Sequence, residues 1–471
     1  MTQLSLPGTN GGSSPATITE VLPVDPTSIH FSPSPGSTHP YDSPTLSISD
    51  PQTTRNLSRA ASLLRDSHLP VAFPTETVYG LGADATDSDA VQSIYEAKNR
   101  PSDNPLIVHV CSLKQLRQLL NPHRQHLSSF ATNGDGGGTE TGIDIPPIYL
   151  PLIARFWPGP LTILLPLPPA NPLSRYVTST QSTFAVRIPA HPIALALAHL
   201  TNLPIAAPSA NTSGKPSPTR ASHVLQDLDR RIPLILDGGS ARVGVESTVV
   251  SGLCWPPRIL RPGGVSLEMI RECGGGWEHC IVGTEKVGNV PRIGTHQGKA
   301  VDAQSSNVAS TDANKEVQQE QDGEQQRQPE QDESLPVVPG MKYKHYSPKA
   351  RVILYKSADG YRNPEPYELL CSPSLGKARK IGIISTRIWP SSPSFQRFLL
   401  NPPPDKDIHH IPLGSSGADI SRGLFAALRD LDDLEVEAIH VEGIGDEDEG
   451  LAVMNRLRKA AALTFGLAVV P

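Results

Sequence analysis

Basic residues at the start, long apolar runs and paired cysteines are what this chain lacks. The first 50 residues contain no Lys or Arg, which argues against a signal peptide's basic n-region and against an Arg-rich transit peptide. No apolar stretch approaches the roughly 20 residues of a membrane span, so no membrane partner is expected. The five cysteines, Cys111, Cys254, Cys273, Cys280 and Cys371, are scattered, and no C-x-x-C pair occurs. Neither a disulfide framework nor a zinc site is suggested; His279-Cys280 near Cys273 reads as incidental, and no metal ligands are assigned. A reducing, intracellular setting fits this usage. The pattern G-x-x-x-x-G-K-[ST] is absent too, Ser213-Gly214-Lys215-Pro216 being no match, so a phosphate-bearing ligand would be held without a P-loop. With a net charge of −6, no basic field covers the whole surface, and any RNA contact would be local.

What is present divides the chain. Its 471 residues allow about two to three domains. An apolar content of 37% with 48 prolines indicates folded domains diluted by unstructured sequence. Residues 1–52, rich in Ser, Pro, Thr and Gly, read as a disordered tail. Over 281–338 Gln, Glu, Asp and Ser dominate, as in Gln318-Gln319-Glu320-Gln321-Asp322, and too few large apolar residues remain to offset ordering entropy. The expected organisation is a tail, a first domain over 53–280, a linker over 281–349 that closes with a distinct segment near 339–348, and a second domain over 350–471.

The stretch that organises the first domain is Val71–Gly82. Val71–Phe73 is a short apolar strand, stopped by Pro74, which fixes φ and lacks an N–H donor. The chain turns through Thr75-Glu76-Thr77-Val78-Tyr79 and leaves by Gly80 and Gly82. A strand feeding a polar, glycine-bearing turn is where open α/β sheets place ligand loops. An ordinary strand-to-helix connection reads the same way on these residues alone. Helical spacing of Leu57, Ala60, Ala61 and Leu64 predicts a helix from near Thr53, and Asp87 or Ser88 can cap another that runs to Lys98. Further strands are predicted at Leu106–Val110, Leu161–Leu165, Phe184–Ile188, Ile205–Ala207, Leu234–Leu236, Ser247–Val250 and Arg258–Leu260. Helices are predicted at Ser112–Leu120, Pro151–Phe156, Ile193–Leu200 and Thr219–Leu228, with a Gly-rich surface loop over Asn133–Gly142. The alternation lacks a clean βαβ rhythm, which predicts an α/β fold with a mixed, strongly twisted sheet and helices around it. In the second domain, strands at Arg351–Tyr355, Lys380–Ser385, Ile408–Leu413 and Glu437–Val441 alternate with helical patterns at Ile420–Leu431 and Leu451–Leu463. That predicts a small parallel α/β, Rossmann-like sandwich; it has no G-x-G-x-x-G and is assigned no cofactor.

Four cations, Lys98, Arg100, Arg187 and Arg261, stand in loops or at strand ends. Brought together they form a bowl for an anion with several phosphates; singly, each is an ordinary surface charge. Ser209-Ala210-Asn211 follows an apolar strand and Pro208. Ser217-Pro218-Thr219 opens a helix, where free N–H groups and hydroxyls hold phosphate or simply cap the helix. Ser247-Thr248 reads equally as ordinary strand, and His109 as a satisfied core histidine. No nucleophile or dedicated base stands out.

Pro74–Gly82 resembles the signature of YrdC-like domains, in particular those of threonylcarbamoyl-AMP synthases. The pattern continues in order through Lys98–Pro101, Asn104–His109, Trp157–Thr162, Ala185–Pro189, Ala207–Asn211, Gly244–Thr248 and Leu260–Gly263, and resumes at Pro339–Tyr346. Gly450–Leu457 resembles the close of the two-domain members. The resemblance implies a YrdC-like twisted mixed sheet with a concave binding face. It implies that ATP, L-threonine and bicarbonate give threonylcarbamoyl-adenylate and pyrophosphate, with Mg²⁺ accompanying ATP. Positions Thr75, His109, Thr183, Arg187 and Ser247 are implied to hold threonine, Arg187 on its carboxylate. Lys98, Arg100, Ser209, Asn211, Thr219, Arg261 and Tyr343 are implied to hold ATP, with the register around Ser217–Thr219 left open. Lys98 and Arg100 are the expected catalytic charge stabilisers, since such transfers depend on positioning and on neutralising phosphate.

Lys342–Pro348 is implied to fold over the bowl as a lid; a packing patch between domains is the alternative. The product would pass to a threonylcarbamoyl transferase complex acting on the tRNA adenosine beside the anticodon. Two other readings stay open. One is a module gripping structured or double-stranded RNA, which needs many phosphate contacts and is disfavoured by the net charge. The other is carbamoyl transfer to a different acceptor, although the acylphosphatase and zinc-finger regions of such proteins are not seen. A cytoplasmic location is expected, and a mitochondrial pool is left open.

Overall fold

Proline, glycine and short β-branched runs cut the first domain into many brief strands. The computed structural model describes residues 18–37, 39–122, 144–179, 181–283, 345–356 and 378–465. The predicted loop at Asn133–Gly142, the bulk of the linker and Tyr343 lie outside the described residues. In chain order the strands of the first domain are β1 (Glu20–Pro23), β2 (Ile29–Ser32), β3 (Thr45–Ile48), β4 (Val71–Phe73), β5 (Gly80–Asp84), β6 (Ile107–His109) and β7 (Leu161–Pro166). They continue as β8 (Thr183–Arg187), β9 (Ile205–Ala206), β10 (Leu234–Asp237), β11 (Thr248–Ser251), β12 (Arg258–Arg261) and β13 (Ile281–Val282). An eleven-stranded sheet runs β1-β10-β4-β5-β9-β6-β8-β7-β11-β12-β13, and β2 pairs with β3 as a separate hairpin. Parallel pairs such as β6–β8 and β7–β11 alternate with antiparallel ones such as β4–β5, β5–β9 and β7–β8, so the sheet is mixed as predicted.

Two expectations are corrected here. The tail predicted disordered over 1–52 is ordered from Ile18 onward. β1 joins β10 in parallel, with Glu20 opposite Leu234, and the β2–β3 hairpin buries Ile29 in the main core. Asp50 then caps the helix Pro51–Arg65 by accepting from the Thr53 N–H, so that helix starts before Thr53. The second correction concerns Gly80–Asp84, read as the exit of a turn. It is a fully buried strand, and a Cβ at Gly82 would stand 2.5 Å from the Phe73 ring and 2.7 Å from Ile205. Glycine is there because the ring of the neighbouring strand occupies the space.

Over β6, β7, β8, β11 and β12 the large core covers one face, whereas a small cluster of Ile107, Leu164, Ala185, Val249 and Leu260 covers part of the other. Side chains two apart on a strand share a face. His109 therefore emerges on the same face as Ile107, and this sparsely covered face carries the site.

The second domain is a five-stranded sheet of β14 (Arg351–Tyr355), β15 (Lys380–Ser385), β16 (Asp407–Pro412), β17 (Ala438–Glu442) and β18 (Leu463–Phe465) in the order β16-β15-β17-β14-β18. Every pairing is parallel, as predicted. Its last helix, Glu449–Ala460, stops short of the predicted Leu463, which opens β18 instead. Both sheets belong to one compact unit, and the core of the second domain takes in Val78 and Val245 of the first along with Tyr346. Among the described residues, no helix is long and apolar enough to cross a membrane.

Candidate active site

On that open face a cavity is lined by the β4–β5 turn, the end of the helix Ser88–Lys98, β6, the end of β8, the segment Ala207–Ser217, Glu246, Ser247, Arg261 and the pair His345, Tyr346. Residues far apart in the chain thus converge. Lys98, Arg100, His109, Arg187, Ser209, Asn211, Ser247 and Arg261 are all in its lining.

Arg187 ends β8 opposite His109 of β6. Its Nε donates to His109 Nε2 at 2.9 Å, Nη1 to Glu76 Oε1 at 3.2 Å, and Nη2 to the Thr75 and Thr77 hydroxyls at 3.2 and 3.1 Å. Thr75 therefore stands behind Arg187 rather than in the lining. A guanidinium has five N–H donors, so one remains for a ligand. The two-pronged carboxylate grip expected of Arg187 would need Thr75 or Thr77 to give way. His109 Nδ1 lies 3.2 Å from the Ile107 carbonyl, which together with the Arg187 donor fixes the neutral Nδ1–H tautomer. Burial, and then the Arg187 charge, hold its pKa well below the usual histidine range. With Nε2 accepting from the Arg187 Nε–H, His109 orients that guanidinium.

Lys98, at the end of its helix, is fully buried; its Nζ donates to the Ser209 carbonyl and, at 2.5 Å, to that of Asn211. Burial first, then neighbouring Arg100, push its pKa well below that of an ordinary lysine. Asn99 takes a left-handed conformation just after the helix and turns the chain so that Arg100 faces the same space. The Arg100 guanidinium reaches the Asn104 and Pro105 carbonyls at 3.3 and 3.1 Å. Arg261, at the end of β12, donates to the Ser247 carbonyl at 2.9 Å and hydroxyl at 3.1 Å. Burial lowers its pKa to about 10 against the pull of Glu246. Buried among these groups, Asn211 Oδ1 and Ser213 Oγ have no hydrogen-bond partner among the described residues. Ser213 Oγ can donate to an anionic ligand, whereas Asn211 Oδ1, an acceptor, would be satisfied by a ligand N–H or O–H.

Sequence reasoning missed Glu246, although it lies in a motif already singled out. Its Oε1 accepts from Ser217 Oγ at 2.6 Å, and its Oε2 accepts from Arg456 Nε and Nη2 at 3.0 Å each. Burial raises its pKa, but Arg456 and Arg261 more than reverse this and bring it to about 2. It also missed Arg429, whose Nη2 reaches the Pro216 carbonyl and Asp227 at 2.5 and 2.8 Å. Tyr346, in the segment read as a lid, lines the cavity and stacks on Phe425 of the second domain at 5.2 Å.

Thr183 and Thr219, like Thr75, stay outside the lining. Thr183 sits opposite Pro166 at the far end of β8, roughly 13 Å from Arg187 at strand spacing. Thr219 is buried behind the cavity, its N–H on His223 Nδ1 and its carbonyl on the Ala241 N–H. Ser217, two positions earlier, does line the cavity.

Residues 64–263 match the family model Sua5_yciO_yrdC, described as telomere recombination, and residues 265–462 match that of the threonylcarbamoyl-AMP synthase C-terminal domain. The chain is 45% identical to the threonylcarbamoyl-AMP synthase of Schizosaccharomyces pombe, an alignment that covers 95% of this chain and 98% of that one. It is 39% identical to the Pyrococcus abyssi protein of the same name, over 85% of this chain and 93% of that one. The crystal structure of P. abyssi Sua5 complexed with L-threonine is similar across 95% of this chain and 100% of that one, with a TM-score of 0.65 and 34% identity. On both domains and nearly the full length, this chain belongs to the threonylcarbamoyl-AMP synthase family.

Proposed function

We propose that this protein makes L-threonylcarbamoyladenylate from L-threonine, bicarbonate and ATP, releasing pyrophosphate and water. The observation that carries the reading is the convergence of Lys98, Arg100, Arg187 and Arg261 on one cavity, beside the orphaned Asn211 Oδ1 and Ser213 Oγ. The threonine nitrogen bonds to the carbon of bicarbonate, or of the CO₂ derived from it, and gives a carbamate. A carbamate oxygen then attacks the α-phosphorus in line with departing pyrophosphate. Such a transfer is driven by placement and charge neutralisation and needs no protein nucleophile. In this reading Arg187, with Thr75 and His109 behind it, and Ser247 serve threonine. Lys98, Arg100, Arg261 and Ser209 serve the triphosphate, Lys98 and Arg100 nearest the transferring phosphorus, and Asn211, whose Nδ2 donates to the Thr212 and Lys215 carbonyls, offers Oδ1 to an N–H or O–H of the nucleotide. Mg²⁺ comes with ATP; the lining carboxylate, Glu246, is committed to Ser217 and Arg456, so the ion is carried by phosphate and water oxygens.

The product supplies the threonylcarbamoyl group for the adenosine beside the tRNA anticodon, transferred by a separate complex. The RNA-gripping alternative has no support in the geometry. Lys98, Arg187 and Arg261 are 1%, 4% and 5% exposed, out of reach of a duplex backbone, which is read by shape from an accessible face. The test is pyrophosphate release from ATP. It should require both threonine and bicarbonate and yield an adenylate that breaks down to AMP. Release indifferent to threonine would overturn the reading.

A further inference from the structure

The second domain sends one fully buried side chain to the wall of the cavity. Arg456, on the helix Glu449–Ala460, has no exposed surface. Its Nε and Nη2 hold one oxygen of Glu246, and its Nη1 donates to the Pro262 carbonyl just after Arg261. Glu246 holds Ser217 with its other oxygen. Both Glu246 and Ser217 face the cavity, whereas Arg456 is behind them and outside the lining. The charges explain why an arginine is needed there. Among the described residues that line the cavity Glu246 is the one carboxylate, set among cations that a triphosphate requires. Left without Arg456, its negative charge would turn to Arg261 and repel the phosphates.

We propose that Arg456 is a positioning residue for ATP: it takes up charge of Glu246 that would otherwise fall on the cavity and pins that carboxylate on Ser217, so that more of the field of Arg261, Arg100 and Lys98 is directed at the triphosphate. The second domain is then a working part of the nucleotide site. This rests on the adenylate-forming reading above.

The distinguishing experiment uses the full chain and initial rates of pyrophosphate release. Arg456→Met should raise the KM for ATP by at least about thirtyfold, the lower range for stranding a buried partner charge, with the KM for threonine changed by less than about threefold. Adding Glu246→Gln to Arg456→Met removes the stranded charge, and replacing both members of a buried pair is often close to neutral. The double variant should therefore recover most of the loss. Recovery is a result that a purely structural clamp would not give, because the double variant also lacks the ion pair. Circular dichroism and melting of each variant accompany the kinetics. A double variant no better than Arg456→Met, or one that fails to fold, overturns the inference while leaving the adenylate reading intact. Equal changes in both KM values do the same. A wild-type chain that releases no pyrophosphate overturns both.

Discussion

Arg187→Lys keeps a positive charge and removes the planar fork. Four of the five guanidinium hydrogens are used: on His109, Glu76, Thr75 and Thr77. A lysine ammonium can keep the Glu76 pair but not the spread of the others, so the bond to His109 and at least one threonine bond are lost. At about 1.5 kcal/mol for a bond to a charged group, that is about 3 kcal/mol of stability. His109 Nε2 is then left buried with no donor. For catalysis the remaining Nη1 hydrogen matters most, because it is the one available to a threonine carboxylate. Losing it should cost about 1.5–3 kcal/mol of threonine binding, or roughly 10- to 150-fold in the KM for threonine. The KM for ATP should move by less than about threefold, since Lys98, Arg100 and Arg261 remain. Steady-state rates with each substrate varied in turn, alongside a melting curve, decide the matter. A KM for ATP that climbs in step with that for threonine would refute the assignment of Arg187 to the amino acid.

Lys98→Met keeps the chain length and removes the ammonium. Loss of one charge-assisted phosphate contact should raise the KM for ATP or lower kcat by about 10- to 150-fold, with threonine binding, read by calorimetry, unchanged; an ATP response within twofold would count against Lys98. Acid should destabilise the fold. His109, His191 and His440 are buried and have lowered pKa values, the last two at about 4, with burial the leading cause in each. The unfolded chain binds these protons near pH 6.5 and the native one does not. Their contribution is thus complete above about pH 6.5 and is lost toward the folded pKa, at about 1.4 kcal/mol per group per pH unit. Chemical denaturation at pH 7.0 and 5.5 should show it, and a flat profile between them would be the wrong outcome. Gly244→Ala should loosen the seat of the second domain. Gly244 has a φ of +80° and a Cβ there would overlap the Ser421–Arg422 backbone. The left-handed conformation alone costs about 1–2 kcal/mol with a side chain present. A lowered urea midpoint checks this, and an unchanged one refutes it.

Local chemistry made much of this protein legible. Pro74 stops a strand because its ring requires it, and Asp87 and Ser112 cap helices at the predicted places. The four cations were legible as a group because each falls at an element's end, where a side chain can leave the sheet. What was hidden depends on partners distant in sequence. β1 looks like tail because Ser, Pro and Thr surround it, and its reason for existing is β10, more than two hundred residues away. Gly80–Asp84 lacks the branched side chains that mark a strand, because the Phe73 ring fills the space in their place. Thr183 and Thr219 were carried in by pattern alone. Strand period places Thr183 on the right face but at the wrong end, while Ser217 rather than Thr219 turns toward the cavity. Glu246 and Arg456 lie 210 positions apart, and no spacing rule connects them.

The carboxylates explain how so many cations can be buried together before any ligand arrives. Glu76 stands behind Arg187, Asp227 behind Lys215 and Arg429, and Glu246 between Arg261 and Arg456. Each offsets a buried charge that would otherwise cost several kcal/mol. Two of the three pairings draw an arginine from the second domain. Lys98 and Arg100 are arranged differently, with their side-chain hydrogens on main-chain carbonyls. Carbonyl dipoles stabilise a cation without cancelling its net charge, so the field of these two remains directed at the cavity. Desolvation already depresses the pKa of both. A polyanion entering the cavity would offset the burial of these cations, which depresses the pKa of Arg187 and Arg261 as well. In the proposed reading the phosphates lie on the Lys98 and Arg100 side, and the amino acid by the carboxylate-backed Arg187.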